Sequence, residues 1–101
     1  MKRSIRSGIL PTAMPRFKYT QQFQRLFRKL PADTQAKVKK QVRLLAENPR
    51  HPSLESKQIE GASGIYEARI DRDYQMTYER LADDTLLLRV VARHDEALRK
   101  P

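Results

Sequence analysis

Apolar residues along this chain follow two periods, one helical and one of strands. Phe23, Leu26, Phe27 and Leu30 recur at i, i+3, i+4 and i+7, which puts them on one helix face. The alternation Arg16-Phe17-Lys18-Tyr19 just before them predicts a short strand, with Thr20 placed to cap the helix. Pro31 has no amide hydrogen, so it ends that helix and opens a second one. In the second helix Val38, Val42 and Leu45 form a stripe with Leu44 beside it, and Asn48-Pro49 supplies the stop. Residues 50–64, with Pro52, Ser53, Gly61, Ser63 and Gly64, read as a loop. Beyond them the period changes to two. Segments 65–70, 74–80 and 85–91 predict three strands, and the connections Asp71-Arg72-Asp73 and Ala82-Asp83-Asp84 are short enough for antiparallel hairpins.

Strict alternation places Tyr66, Ala68, Ile70, Tyr74, Met76, Tyr78, Leu86, Leu88 and Val90 on the sheet face that packs against the helices. The opposite face then carries Glu67, Arg69, Gln75, Thr77, Glu79, Leu87, Arg89, Val91 and Arg93, a polar mixture expected of a sheet covered on one side only. Asp95 follows the last strand, positioned to cap a short terminal turn through Leu98. Strand, helix, helix and a three-stranded meander make an α+β fold, with no internal repeat. The folded unit is expected over residues 16–101. Residues 1–15 have only Ile9-Leu10 as an apolar pair, too little for a signal peptide, and read as a disordered leader or extension.

Composition narrows the chemistry. A chain of 101 residues is one domain's worth. The absence of cysteine excludes disulfide frameworks, thiol catalysis and iron–sulfur clusters. Three glycines, at 8, 61 and 64, cannot build either of the common glycine-rich phosphate loops. No apolar run approaches the roughly 18 residues of a membrane span.

Charge changes the picture more. The 21 Lys and Arg residues outnumber 12 Asp and Glu, for a net charge of +9, and a polyanion is the natural partner. Residues 1–50 hold 13 basic groups and only two acids, whereas residues 51–101 hold eight basic and ten acidic groups. The excess therefore lies on the leader and the two helices, whose outer faces carry Arg25, Arg28, Lys29, Lys37, Lys39, Lys40 and Arg43. Solubilising charge on a solvated helix pair is the plainer account of the same pattern.

Several runs, taken in order, resemble a known family. His51-Pro52-Ser53-Leu54-Glu55-Ser56-Lys57-Gln58-Ile59-Glu60-Gly61, then 65–78 (Ile-Tyr-Glu-Ala-Arg-Ile-Asp-Arg-Asp-Tyr-Gln-Met-Thr-Tyr), then His94-Asp95-Glu96, look like the RelE/ParE superfamily of bacterial type II toxin–antitoxin toxins. The resemblance covers roughly residues 15–100 and implies a short N-terminal strand and a two-helix hairpin on an antiparallel sheet. It also implies a cytoplasmic protein with a cognate antitoxin as partner. RelE-like branches cut messenger RNA, usually on the ribosome, while ParE-like members poison DNA gyrase. The His-Pro-Ser-Leu and His-Asp elements fall nearer the RNA-cutting side. A gyrase inhibitor, or a catalytically weak module that binds nucleic acid or antitoxin, are the alternatives.

Metal-free RNA cleavage needs a base for the ribose 2′-hydroxyl, donors for the phosphate oxygens and an acid for the leaving oxygen. Imidazole, ammonium and guanidinium suffice, so neither metal nor cofactor is expected. The resemblance assigns catalytic roles to Lys57, Arg69, Arg93 and His94, with Asp95 supporting the imidazole. It assigns RNA contacts to Arg72 and Gln75, while Arg25, Arg28, Lys37 and Lys40 on the helices would meet ribosomal RNA. Apart from the resemblance, Lys57 would pass for a solvated loop lysine and His51 for a conformational residue. Departures from the family pattern are Gln75 where an arginine is common, Leu98 where several members have a tyrosine, and the acids Glu60, Glu67 and Glu79. On the open sheet face, Leu87 and Val91 would suit a wrapped antitoxin peptide.

Overall fold

Thr20 joins the first two elements of the structure. Its Oγ1 accepts the Phe23 N–H at 3.0 Å, capping α1 (Gln21–Arg28) immediately after β1 (Phe17–Tyr19). The same hydroxyl donates to the Arg89 carbonyl at 2.7 Å. The computed structural model describes residues 17–101; the leader expected over 1–15, and Arg16 of the first strand, lie outside the described residues.

Pro31 occupies the cap position of α2 (Ala32–Glu47), and Asn48 closes it, as the spacing predicts. A 3-10 turn (Pro52–Leu54), β2 (Lys57–Gln58), β3 (Ile65–Arg69), β4 (Tyr74–Arg80), β5 (Leu86–Arg93) and α3 (His94–Arg99) follow. His51 has the conformational role expected of it: Nδ1 accepts the Ser53 N–H at 3.1 Å and so caps the 3-10 turn.

The five strands lie in the order β1-β5-β4-β3-β2. Here the expected antiparallel sheet is corrected to a mixed one, because β1 runs parallel to β5, with Phe17 opposite Leu86. Parallel pairing requires a long crossover, and both helices and the meander supply it. The loop expected over 50–64 also contains β2, whose two residues pair antiparallel with β3 and are too few to show a period.

Phe23, Phe27, Val38, Val42 and Leu45 from the helices meet Ala68, Met76, Tyr78, Leu86 and Leu88 from the sheet in one core. One irregularity changes which residues enter it. Thr77 faces Val90 but the next residue, Tyr78, faces Leu88, so Arg89 is an extra residue in β5, a β-bulge. Side chains beyond the bulge exchange faces. Val91, expected on the open face, is buried in the core opposite Met76, and Val90, expected in the core, lies opposite Thr77 on the other side. Arg93 is carried to the helix side with Tyr74.

The second sheet face is not fully open, which corrects the expectation of a sheet covered on one side only. α3 buries Ala97, and the chain beyond it brings the Pro101 oxygen to Thr77 Oγ1 at 2.9 Å and to Arg89 Nε at 3.0 Å. The terminal turn is a helix through Arg99. Asp95 does not cap it: Arg93 holds the cap position without a side-chain bond, and Asp95 lies inside the first turn.

Candidate active-site groove

The β3–β4 turn organises one end of the sheet. Asp71 Oδ1 accepts the N–H groups of Asp73 at 2.8 Å and Tyr74 at 2.9 Å, the self-bonding that makes aspartate a turn residue. Its Oδ2 meets Lys37 Nζ of α2 at 3.2 Å. The His94 N–H donates to the Asp73 carbonyl at 3.1 Å, tying the start of α3 to the same turn.

Desolvation acts to raise the Asp71 carboxyl, but the two backbone N–H donors and Lys37 outweigh it and hold the group below the usual aspartate range. A lowered folded-state pKa contributes stability above the unfolded value, about 3.9, that is lost as pH falls through the folded value. Asp71→Asn keeps the Oδ1 acceptor and removes the charge. Wild type is therefore expected to exceed this variant by at most about 1 kcal/mol at pH 7, the worth of a partly exposed pair. In urea melts the gap should narrow and close as pH falls from the unfolded value through the lower folded one. A gap that persists below both would mean that the charge is not its source.

Beside this turn a groove of about 430 Å³ is lined by Glu55, Lys57, Glu67, Arg69, Asp71, Arg72, Gln75 and His94. Five of the residues singled out in the sequence thus come together: Lys57, Arg69, Arg72, Gln75 and His94. Arg93 does not join them. Its guanidinium lies over the Tyr74 ring, 5.5 Å from the centroid, on the far side of the sheet because of the bulge. Arg25, Arg28 and Lys40 are exposed on the helices, outside the groove, and Lys37 touches its rim through Asp71.

Within the groove the strands set the spacing. β2–β3 pairing puts Lys57 directly opposite Glu67. The Lys57 side chain is exposed and makes no hydrogen bond or ion pair among the described residues. Glu67 and Gln75 are only 6% and 7% exposed, and the Gln75 amide donates to the Glu67 carboxylate. Arg69 forms an accessible 2.9 Å ion pair with Glu55, a residue held in left-handed backbone at φ 44°. Gln41 of α2 donates to the Arg69 carbonyl at 2.8 Å, fixing the end of β3. The His94 side chain is 56% exposed, and its Nδ1 lies 3.5 Å from Oδ1 of the adjacent, almost fully exposed Asp95.

Glu55, Glu67 and Asp71 are groove members that the sequence did not single out as site residues; Glu67 figured there only as an open-face acid departing from the family pattern. Alternation with Arg69 was the available signal for Glu67; nothing local marks Glu55. A second concavity, about 980 Å³, adjoins the groove through Lys57 and Glu67 and includes Ile59, Ala62 and Leu98. The pair of concavities offers cations for a phosphate, a buried carboxyl group, an imidazole and an apolar neighbour. No cluster of three or more potential metal ligands occurs among the described residues. No helix among them is long and apolar enough to cross a membrane.

No family model matches the sequence, and no curated protein matches it. Solved structures do. YafQ from E. coli strain BL21(DE3) superposes with a TM-score of 0.65 at 20% identity, over 79% of this chain and 93% of that one. The YoeB/ParE toxin from Agrobacterium tumefaciens gives 0.67 at 14% identity, over 77% and 96%. The archaeal RelE–RelB complex from Pyrococcus horikoshii OT3 gives 0.65 at 19% identity, over 86% and 100%. The chain has the RelE-like toxin fold.

Proposed function

We propose that this chain, folded as the RelE-like toxins are, is the toxin of a type II toxin–antitoxin pair that inhibits translation by metal-free cleavage of messenger RNA on the ribosome. The observation that carries this reading is the groove, where Lys57, Arg69, Arg72 and His94 surround the buried Glu67 carboxylate. Lys57 and Arg69 hold the scissile phosphate, Arg69 exchanging Glu55 for a phosphate oxygen, and Arg72 holds a neighbouring one. Glu67 takes the proton of the ribose 2′-hydroxyl. The 2′-oxygen attacks the adjacent phosphorus, the bond to the 5′-oxygen breaks, and His94 returns a proton to that oxygen. The products are a 2′,3′-cyclic phosphate and a 5′-hydroxyl.

Gln75 takes a definite part in this scheme. It stands where a cation is common in the family and supplies no charge to the phosphate, but its amide holds the Glu67 carboxylate in place. The exposed cations Arg25, Arg28 and Lys40 dock on ribosomal RNA, an association that weakens as salt rises. An acidic antitoxin segment neutralises the same surfaces. Val91 is no part of its footprint, because it is buried, which leaves half-buried Leu87 as the apolar contact on that face. The protein acts in the cytoplasm, where translation takes place.

The test adds purified protein to translating ribosomes, maps transcript 5′ ends, and runs a gyrase supercoiling assay in parallel. New 5′ ends within the reading frame, with supercoiling unchanged, are expected. Intact transcripts with blocked supercoiling would replace this reading with gyrase inhibition.

A further inference from the structure

Arg93 stands apart from the groove in a defined arrangement of its own. The bulge at Arg89 places it opposite Tyr74, on the helix side of the sheet, with its guanidinium over the phenol ring in a cation–π contact. The residue is exposed, and its guanidinium makes no hydrogen bond or ion pair among the described residues. The guanidinium carbon lies over the Tyr74 ring, 5.5 Å from its centroid, and the side chain is open to solvent. The next residue is His94 of the groove, and the turn 71–73 that separates the two sites carries exposed Arg72 at its tip. Arg72, flanked by Asp71 and Asp73, therefore lies between the groove and the Arg93–Tyr74 pair.

We propose that Arg93 and Tyr74 form a nucleotide-stacking subsite for the single-stranded RNA that enters the groove, with the strand crossing the 71–73 turn at Arg72. This inference rests on the groove being an RNA site. Three features favour a nucleotide as occupant: an exposed guanidinium held over an aromatic ring, a pairing that suits a base; N–H donors without a partner among the described residues, which suit a phosphate; and adjacency to the groove through Arg72. A flat stacking surface reads no base edges, so the subsite adds affinity and sets how much flanking RNA is held, without sequence preference.

Fluorescence anisotropy with 2′-O-methyl RNA, which cannot be cut by 2′-hydroxyl attack, tests the proposal on the full chain. A trinucleotide fills the groove alone, and a longer oligonucleotide also reaches over the turn. Arg93→Ala should weaken the longer RNA roughly tenfold and leave the trinucleotide unchanged. It should also lower the salt dependence by about one phosphate contact. Arg93→Lys should keep the salt dependence yet still lose roughly severalfold, because an ammonium does not stack. Thermal midpoints should not move, since Arg93 is exposed.

If Lys57→Ala weakens both oligonucleotides while neither Arg93 variant weakens either, the subsite is wrong and the groove stands. If neither Lys57→Ala nor Arg93→Ala weakens RNA, the groove is not an RNA site and both readings fall. Loss of binding to an acidic antitoxin peptide with RNA binding intact would assign the Arg93 surface to a protein partner and overturn the proposal.

Discussion

A chain carrying both Lys57→Ala and His94→Ala is expected to cleave messenger RNA at least roughly a thousandfold more slowly than wild type, with its fold unchanged. Proton transfer by a positioned side chain contributes about 10²–10⁴ in rate, and a cation on the developing phosphate charge adds to it. In the proposed reaction His94 supplies the first effect and Lys57 the second. Both side chains are exposed and sit outside the core, so the loss cannot be attributed to unfolding. The single variants should separate the roles. His94→Ala should lower the rate of the bound complex, whereas Lys57→Ala should also weaken binding, since it removes a charge that meets the phosphate before the reaction begins. Single-turnover rates on programmed ribosomes, with circular dichroism as the control, check both. Cleavage by the double variant within about threefold of wild type would exclude this groove as the reacting site.

Phe23→Ala is expected to have the largest effect on stability. Phe23 is fully buried, and its ring lies 5.5 Å from that of Tyr19, between α1 and the strand pair β1–β5. Removing a buried phenylalanine costs about 3–5 kcal/mol in lost transfer energy and residual cavity. For a domain whose total stability is about 5–15 kcal/mol, most of the margin disappears. Urea denaturation of the wild type and variant measures the difference. A loss under about 1 kcal/mol would show that this corner of the core repacks freely, contrary to the density expected of a protein interior.

The helices were readable in the sequence because their apolar stripes and caps are local features. Phe23 and Phe27 share a face whatever they pack against, and Thr20 and Pro31 act on neighbouring amides. Much of the groove was readable for a different reason: Lys57, Arg69, Arg72, Gln75 and His94 stand in runs that resemble a family, and the strands bring those runs together. What escaped depends on pairing between distant segments. β2 exists only because Lys57 and Gln58 find Glu67 and Tyr66, and the parallel partner of β1 lies almost seventy residues away. The bulge leaves no mark in the alternation of β5, yet it decides that Val91 is core and that Arg93 leaves the groove. Glu67 looked like an unfavourable charge on an open face because its burial beside Gln75 depends on cover that alternation alone does not reveal.

The charge pattern takes on a spatial meaning as well. Lys57, Arg69 and Arg72 in the groove are matched by Glu55, Glu67 and Asp71, so the groove is formally balanced while the exposed helix faces carry cations in excess. In the proposed function, docking and chemistry thus fall on different surfaces. Raising salt should weaken association with the ribosome more than it slows the bound reaction.

The chemistry at the cut ends tests the central claim most directly. RNA cleaved by the purified protein on ribosomes can be assayed for its termini by enzymatic phosphorylation of 5′ ends and by resistance of 3′ ends to ligation. Attack by the 2′-oxygen, with Glu67 and His94 moving the protons, predicts 5′-hydroxyl and 2′,3′-cyclic phosphate ends, absent when the Lys57→Ala, His94→Ala chain is used. Ends bearing a 5′-phosphate and a 3′-hydroxyl, or the same cyclic ends produced equally by that variant, would contradict it.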